Sequence, residues 1–515
     1  MKFIYQLTIS LLLLLSSIVQ ALEVSELPQA NANKVVIKVR FDNGSIVDPK
    51  GKEGLTYATA AMLASGGAGG MSYAQLQDKM YPWAASYDVV VDKQISTFTF
   101  AVPVKFVEQF YPLVQAILLH PDFLEQDFTR LMKGQQNYVD QVVRASSDED
   151  YSKFALENQL FRGGNMAHLL TGTSQSVASI RLADIKAHYH KVFTRHNVSL
   201  GIAGNYSTTL LTQLKNDLAQ LSDAPYVAVQ PSQPRAAKGI EVEIISKQDA
   251  FGSAVFTGAA LPITRANDDF AALMIANSWM GEHRKSYSRL YQKLRETRSM
   301  NYGDYSYIEW YNNGGGNQLP PSGVPRASNY WSIWLRPVQI AQQLHAQYPE
   351  LAEVKIGHAH FALRLALREF SLLIQNGMSA DDFAATKTFL RSYTKLYAQG
   401  PEQQLGWLMD SAFYGRSNYL VELDKLLADV SLDQVNQAIR QYWQVNNLFV
   451  TIVTDNSEAQ ALADSLTNNT PSPMSYSTLV KSGLSPEILA EDEIVANFKL
   501  NIGKVTLVPS ADTFK

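Results

Sequence analysis

Apolar and polar positions follow two rhythms along this chain, one with the period of a strand and one with the period of a helix. Residues 35–41 (VVIKVRF) form a β-branched and aromatic run closed by Asp42-Asn43-Gly44-Ser45, which predicts a strand ended by a turn. From 54 to 65 the composition shifts to alanine and other helix formers, and the glycines of 66–70 stop the helix. Residues 72–80 predict a second helix, with Leu76 and Met80 on one face. Residues 89–91 and 96–102 read as antiparallel strands. Helices are predicted over 104–119, 125–144 and 182–193, and residues 198–203 close the series as a strand. The order is α+β, not a regular βαβ alternation.

The same order returns further along. Strands are predicted over 242–245 and 253–260, helices over 268–280 and 286–294, and strands over 305–310 and 330–335. Helices over 357–375, 381–397 and 431–443 follow, and a strand over 448–453 closes the second series. Ungapped matches make the repeat concrete. At one constant offset, Ala58, Gly67, Ser72, Tyr73, Leu76 and Lys79 meet Ala272, Gly281, Ser286, Tyr287, Leu290 and Lys293. At a second offset, Leu182, Asn197, Ile202 and Ser207 meet Leu432, Asn447, Ile452 and Ser457. Two similar domains in tandem are expected, 34–225 and 241–465. The linker, 226–240, holds Pro231 and Pro234 among Ser, Gln and Ala, a composition suited to an extended, semi-rigid join. A glycine- and proline-rich stretch over 312–328 reads as an exposed loop, and the tail, 466–515, ends in a β-like run over 504–509 that is expected to pack.

Composition narrows the function. The chain has 515 residues, 46% hydrophobic and 18% charged, which is ample for sizeable cores and unlike a disordered chain. Lys plus Arg (44) nearly balances Asp plus Glu (48), so no basic excess exists to neutralise a phosphate backbone, and nucleic acid is not an expected partner. Cysteine is absent, which removes disulfides, thiolate metal sites, cysteine nucleophiles and the acylated cysteine of a lipoprotein. Residues 1–21 read as an export signal: Lys2, an apolar run over 7–15, and Val19-Gln20-Ala21 near a cleavage point. The run is short for a membrane span, and no later segment is long and apolar enough for one. The mature chain is expected in the periplasm, beginning near Leu22.

Common catalytic patterns are missing: G-x-S-x-G, a Walker A loop, G-x-G-x-x-G, H-E-x-x-H and H-x-x-E-H do not occur. The close histidine pairs, His188 with His190 and His358 with His360, fall in predicted helices. Residues two apart on a helix point about 200° apart, so these histidines are expected at surfaces or between helices. His168 is expected in a loop, and Asp148-Glu149-Asp150 as a solvated face or helix N-terminal charge.

Several local motifs carry a family resemblance. They are Asp48-Pro49-Lys50-Gly51-Lys52-Glu53-Gly54-Leu55, Ser72-Tyr73 before a helix, residues 118–123 (LLHPDF), Gly172-Thr173 with Ile180, and residues 290–302 (LYQKLRETRSMNY). Together they resemble the M16 metallopeptidases (insulinase, pitrilysin and mitochondrial processing peptidase), over nearly all of the mature chain. The resemblance implies a tandem pair of homologous M16-type (LuxS/metalloproteinase-like) α+β domains forming one clam-shell half, two halves enclosing a peptide chamber. In active members the helix after Gly-Leu reads H-x-x-E-H, where two histidines on one face hold zinc and the glutamate activates water. That pattern falls here on Tyr57, Ala60 and Ala61, with a distal carboxylate ligand position near Asp140. Alanine binds no metal, so the resemblance implies no zinc bound by this chain. An Arg and a Tyr seven residues apart, which hold substrate in active members, match Arg295 and Tyr302.

A chain without the metal but with the pair resembles the non-catalytic, substrate-binding subunit of a heterodimeric M16 peptidase. Zinc is then expected in a partner subunit and peptide as substrate. The residues leave two other readings: a non-hydrolytic peptide-binding or scaffold protein, and an autonomous peptidase with a site rearranged around Asp140 and a histidine.

Overall fold

Strand pairing arranges the chain into two mixed sheets that share one topology. The computed structural model describes residues 22–310, 319–320 and 322–514; the expected export signal lies outside the described residues, as does much of the expected glycine-rich loop. The first sheet contains β1 (Glu23–Pro28), β2 (Lys34–Phe41), β3 (Ser86–Val91), β4 (Ser96–Pro103) and β5 (Val198–Gly204), in the order β1-β5-β2-β4-β3. The second contains β6 (Ile240–Lys247), β7 (Ser253–Ala260), β8 (Asp304–Tyr307), β9 (Tyr330–Val338), β10 (Phe449–Asp455) and β11 (Ile502–Pro509), in the order β11-β6-β10-β7-β9-β8. Each sheet has one parallel pair among its five matching strands, β1 with β5 and β6 with β10, in the same place. The sequence matches at constant offset therefore reflect one fold used twice, with β11 added to the second copy.

Helices cover one face of each sheet. In the first half α1 (Leu55–Ser65), α2 (Tyr73–Met80), α3 (Val107–Leu119), α4 (Glu125–Asn137), α5 (Asp148–Phe161), α6 (Leu182–Val192) and α7 (Thr208–Leu218) occur in chain order. In the second, α8 (Asp269–Gly281), α9 (Ala359–Asn376), α10 (Ala380–Tyr393), α11 (Pro401–Phe413), α12 (Tyr419–Asp429), α13 (Leu432–Tyr442), α14 (Asn456–Thr467) and α15 (Pro486–Ala496) do. Strand alternation separates two cores. Val35, Ile37, Val39 and Phe41 of β2 pack into the first helical layer, while Val36 points to the other face. Local chemistry sets several ends: Ser72 and Gln75 form a reciprocal capping box at the start of α2.

The second faces of the sheets are covered reciprocally. Helix α5, from the first half, lies on the second sheet, with Leu156, Leu160 and Phe161 against Phe256, Tyr330, Trp334 and Phe449. Helix α11, from the second half, lies on the first sheet, with Leu405 and Met409 against Val36 and Ala203. The two halves thus exchange one helix each.

The structure also departs from the expected elements. The helix expected over 125–144 breaks after Asn137 into a π turn, Tyr138–Val142, and the short helix expected over 286–294 is a π turn at Tyr291–Glu296. The acidic run opens α5, but only Asp150 is solvated. Asp148 pairs with Lys247 at 2.7 Å and Glu149 with Arg336 at 2.7 Å, both across the join between halves. His358 caps α9 and His360 lies in its first turn; both are buried and reach Ser475 O (3.0 Å) and Ser465 Oγ (3.3 Å).

Candidate functional site

The positions matched to the M16 zinc motif lie at the start of α1. Gly54 precedes the helix with φ 92°, a left-handed conformation, and a Cβ there would lie 2.5 Å from the carbonyl oxygen of Thr171. With no side chain at Gly54, Asp48 caps the helix. Its carboxylate accepts from Gly54 N–H (2.7 Å), Thr56 N–H (2.7 Å) and Thr56 Oγ1 (2.6 Å). Burial pushes the Asp48 pKa up to about 7 despite those three donors. Because Thr56 gives its proton to Asp48, it accepts at 2.9 Å from Nε2 of His188 on α6. Burial holds that imidazole neutral, with its pKa lowered to about 4.

Tyr57, Ala60 and Ala61 follow on the same helix. Tyr57 is 36% exposed, Ala60 is wholly buried and Ala61 is half-buried. Asp140 lies on the π turn after α4, the helix that packs against α1, and its Oδ2 accepts from Gln136 Nε2 at 2.8 Å. Gln136 also donates to Ser174 O at 3.2 Å, so the carboxylate is held toward its own helix and the short helix Ser174–Ser179.

Arg295 and Tyr302 are brought together by a different device. The π turn Tyr291–Glu296 is anchored by buried Leu294, and Ser299 then turns the chain with φ 53°. Ser299 N–H donates to Arg295 O at 2.7 Å and Met300 N–H to Leu294 O at 3.2 Å. The chain reverses, and Arg295 Nη1 donates to Tyr302 O at 3.0 Å. The guanidinium also stands 4.7 Å from the Tyr291 ring centre and 5.8 Å from that of Tyr302. Tyr302 is 78% exposed, so its phenol is free to meet a ligand. Both residues line a cleft of about 820 Å³ with Phe251, Arg336, Gln339 and Gln343.

Phe251 is 84% exposed on the β6–β7 turn, yet its backbone is fixed. Its N–H donates to Asp148 Oδ2 (3.0 Å) and its carbonyl accepts from Gln343 Nε2 (2.6 Å). Phe251, Arg336 and Gln343 were not singled out from sequence. An exposed aromatic in a two-strand turn was the available signal for the first; the other two reach the cleft only through tertiary packing.

Comparisons with known proteins bear on this arrangement. A family profile described as "Peptidase M16 inactive domain" matches residues 179–324, the stretch that includes Arg295 and Tyr302. The chain is similar to the non-peptidase homolog YmxG of Helicobacter pylori (strain ATCC 700392 / 26695), 22% identical over 424 residues, covering 81% of this chain and 88% of that protein. Its fold is similar to a peptidase M16 inactive domain from Pseudomonas fluorescens, with a TM-score of 0.70 at 18% identity over 85% of this chain and 96% of the other. A chain of complex III2 from Candida albicans superposes with a TM-score of 0.64 at 13% identity, over 84% and 93% of the two chains. Residues 179–324 thus carry the signature of the peptidase M16 inactive domain, and the chain shares the fold of solved M16-type structures.

Within M16, a hydrolytic site needs a zinc ligand set, and the residues present do not fit one. Ala60 and Ala61 supply no donor atom, and Asp140 is already engaged by Gln136. A site rearranged around Asp140 and a histidine finds no support in the geometry. His188 is spent on Thr56 and His168 on Leu169 O, and among the described residues no group of three or more His, Asp or Glu is placed to hold a metal. The comparisons support a catalytically inactive M16-type homologue, with no zinc-binding group among the described residues. Among the described residues no helix is long and apolar enough to cross a membrane.

Proposed function

We propose that this M16 chain is an exported, metal-free subunit that completes a peptidase with a zinc-bearing M16 partner, holding peptide while the partner cuts it. One contrast carries the reading. The α1 positions matched to His, Glu and His carry Tyr57, Ala60 and Ala61, whereas Arg295 and Tyr302 are paired at the rim of an open cleft. Guanidinium and phenol donors suit peptide carbonyls and a developing oxyanion. The metal, the attacking water and the base belong to the partner in this reading. Export to the periplasm of a Gram-negative cell is supported by the apolar run over 7–15 and Val19-Gln20-Ala21.

The test is reconstitution with a zinc-bearing M16 chain from the same organism. Peptide hydrolysis is expected only in the mixture. Arg295→Ala is expected to lower turnover by roughly 10²-fold, the usual loss for one transition-state donor, while the complex still assembles. Full activity of the Arg295→Ala, Tyr302→Ala double variant in an assembled complex would sink the residue assignment.

A second reading, a peptide-binding or scaffold protein without hydrolysis, is favoured by the similarity to a protein named a non-peptidase homolog and to a chain of complex III2. Co-purification with an active zinc-bearing chain whose turnover depends on this one would count against it.

A further inference from the structure

We infer that the outer edge of β6, together with Arg144 and Tyr151 beyond its end, is a docking site for an extended polypeptide segment, and that residues 502–514 are its tethered occupant. The first argument is the repeat. The sheets match strand for strand, β1-β5-β2-β4-β3 against β6-β10-β7-β9-β8, and β11 is the one strand of the second sheet with no counterpart in the first. β1, the counterpart of β6, pairs only with β5 among the described strands. Five strands make a complete sheet in this fold, and the sixth is an addition to its edge.

The second argument is packing. No residue of β11 is fully buried, and Leu507 is among the exposed apolar side chains. β6 keeps Ile240, Val242, Ile244 and Ile245 buried, and its other edge is paired with β10 throughout. The strand is held mainly through backbone pairing, Val505 beside Val242 to Pro509 beside Ser246, with a register shift at its start between Ile502 and Lys504, and only Ile502 and Val505 lean, half-buried, on the second core. An edge strand without a buried side chain belongs to the least stable part of a fold.

The third argument is the anchor. Beyond Pro509 the segment crosses to the first half, where Tyr151 Oη donates to Ser510 O (3.1 Å) and bonds Thr513 Oγ1. Arg144 donates to Thr513 O (2.7 Å) and Ser510 O (3.4 Å), and the Phe514 ring meets Tyr151 edge-on at 5.6 Å. The same Arg144 holds Val139 O (2.7 Å) and Asp140 O (3.3 Å), which ties the anchor to the π turn bearing the degenerate ligand position. Val508, Thr513 and Phe514 wall a cleft of about 990 Å³ that Lys50, Gln175 and Ser176 close from the first half. Backbone carbonyls gripped by side-chain donors, one aromatic ring seated at the end and a strand added to a sheet edge make up β-augmentation recognition. The occupant it takes is an extended segment rich in β-branched residues followed by Ser-x-x-Thr-Phe. Tethering keeps the chain's own copy at high effective concentration.

The experiment uses the full chain with a protease recognition loop inserted after Lys499, an exposed residue between α15 and β11. Before cleavage, a fluorescein-labelled synthetic peptide of residues 500–514 should not bind. After cleavage the fragment should exchange for it, and exchange should weaken about tenfold with Arg144→Ala or with a peptide carrying Phe514→Ala. Failure of the cut chain to take up the peptide, or its unfolding on cleavage, overturns the proposal, since β11 is then part of the core. Uptake indifferent to both substitutions overturns the anchor. Hydrogen exchange on the uncut, unsubstituted chain gives a second readout. Amides of 504–508 should exchange well before those of 450–453, and equal protection also overturns it.

Discussion

Asp304, the first residue of β8, has no exposed surface, and its nearest donor is Asn301 Nδ2 at 2.7 Å. Burial pushes its pKa up to about 8, more than the Asn301 bond and the charges of Arg336 and Arg295 can offset. The sign follows from proton counts. The folded chain keeps a proton here that the unfolded chain releases near pH 4, so this residue's contribution to stability falls as pH rises from about 4 to about 8 and is lowest above that. Asp304→Asn keeps the oxygen that Asn301 bonds and removes the titration. The variant is expected to gain on the order of 2 kcal/mol over the native chain at pH 8 and little or nothing at pH 4. Urea unfolding at both values checks it, and an equal difference at the two would refute the buried-acid assignment. Asp304 was not legible in the sequence as a special residue, because nothing local marks it as buried. Arg295 and Tyr302 were legible only as a spacing within a recognised motif. What their sequence could not give is the reversal at Ser299 that bonds one to the carbonyl of the other.

At the scale of elements, what the sequence revealed follows from where each element's partners lie. Strands β2 and β4 and helices α1 and α2 carry their signals locally, in alternation, alanine content, caps and terminating glycines, and all four stand close to their expected limits. Helix α5 carries no amphipathic signal because it is buried nearly all round, between its own half and the second sheet. The parallel edge strands β1 and β11 find their partners far along the chain, and β11 declared itself only by composition. The reciprocal helix α11 sets a constraint that can be measured. Gly201 on β5 lies beneath it, and a Cβ there would stand 2.4 Å from Met409 Sδ and 3.2 Å from Leu405 Cγ. Gly201→Val is expected to cost about 1–3 kcal/mol through overpacking. Met409→Ala in the same chain should recover part of that loss, since the thioether is the nearest obstacle. Additive losses in a double-mutant cycle would mean that the helix does not press on the strand.

At the scale of the molecule, the two halves are locked by charge as well as by exchanged helices. Arg326, from the second half, reaches into the first and binds Asp92 through two donors at 2.7 and 2.8 Å, while its Nη1 donates to Glu157 at 2.6 Å. Lys93 meets Glu157 at 2.9 Å, and the guanidinium lies 3.7 Å from the Trp310 ring centre. All four charged groups are buried, two cations against two carboxylates. Burial alone would raise the Glu157 pKa, but Arg326 and Lys93 outweigh it and hold the group at about 2. A depressed carboxylate adds stability that is fully present above about pH 4.5 and is lost only as pH falls toward 2, so this lock holds through mild acid. Arg40 on β2 and Asp410 on α11 form a second buried pair across the join, at 2.6 Å, and Asp410 also accepts from Gly323 N–H at 2.8 Å, in the segment that delivers Arg326. Removing one cation from such a network leaves a carboxylate buried and uncompensated, which costs about 3–5 kcal/mol, more than a surface pair could. Arg326→Met keeps much of the volume and the contact with Trp310 while deleting the charge. Urea unfolding at neutral pH should show that loss. Adding Asp92→Asn should return part of it, because the excess negative charge is then relieved without restoring the bond. If Arg326→Met unfolds at the native urea midpoint, the halves are held by the exchanged helices alone and the ion network contributes nothing to their union.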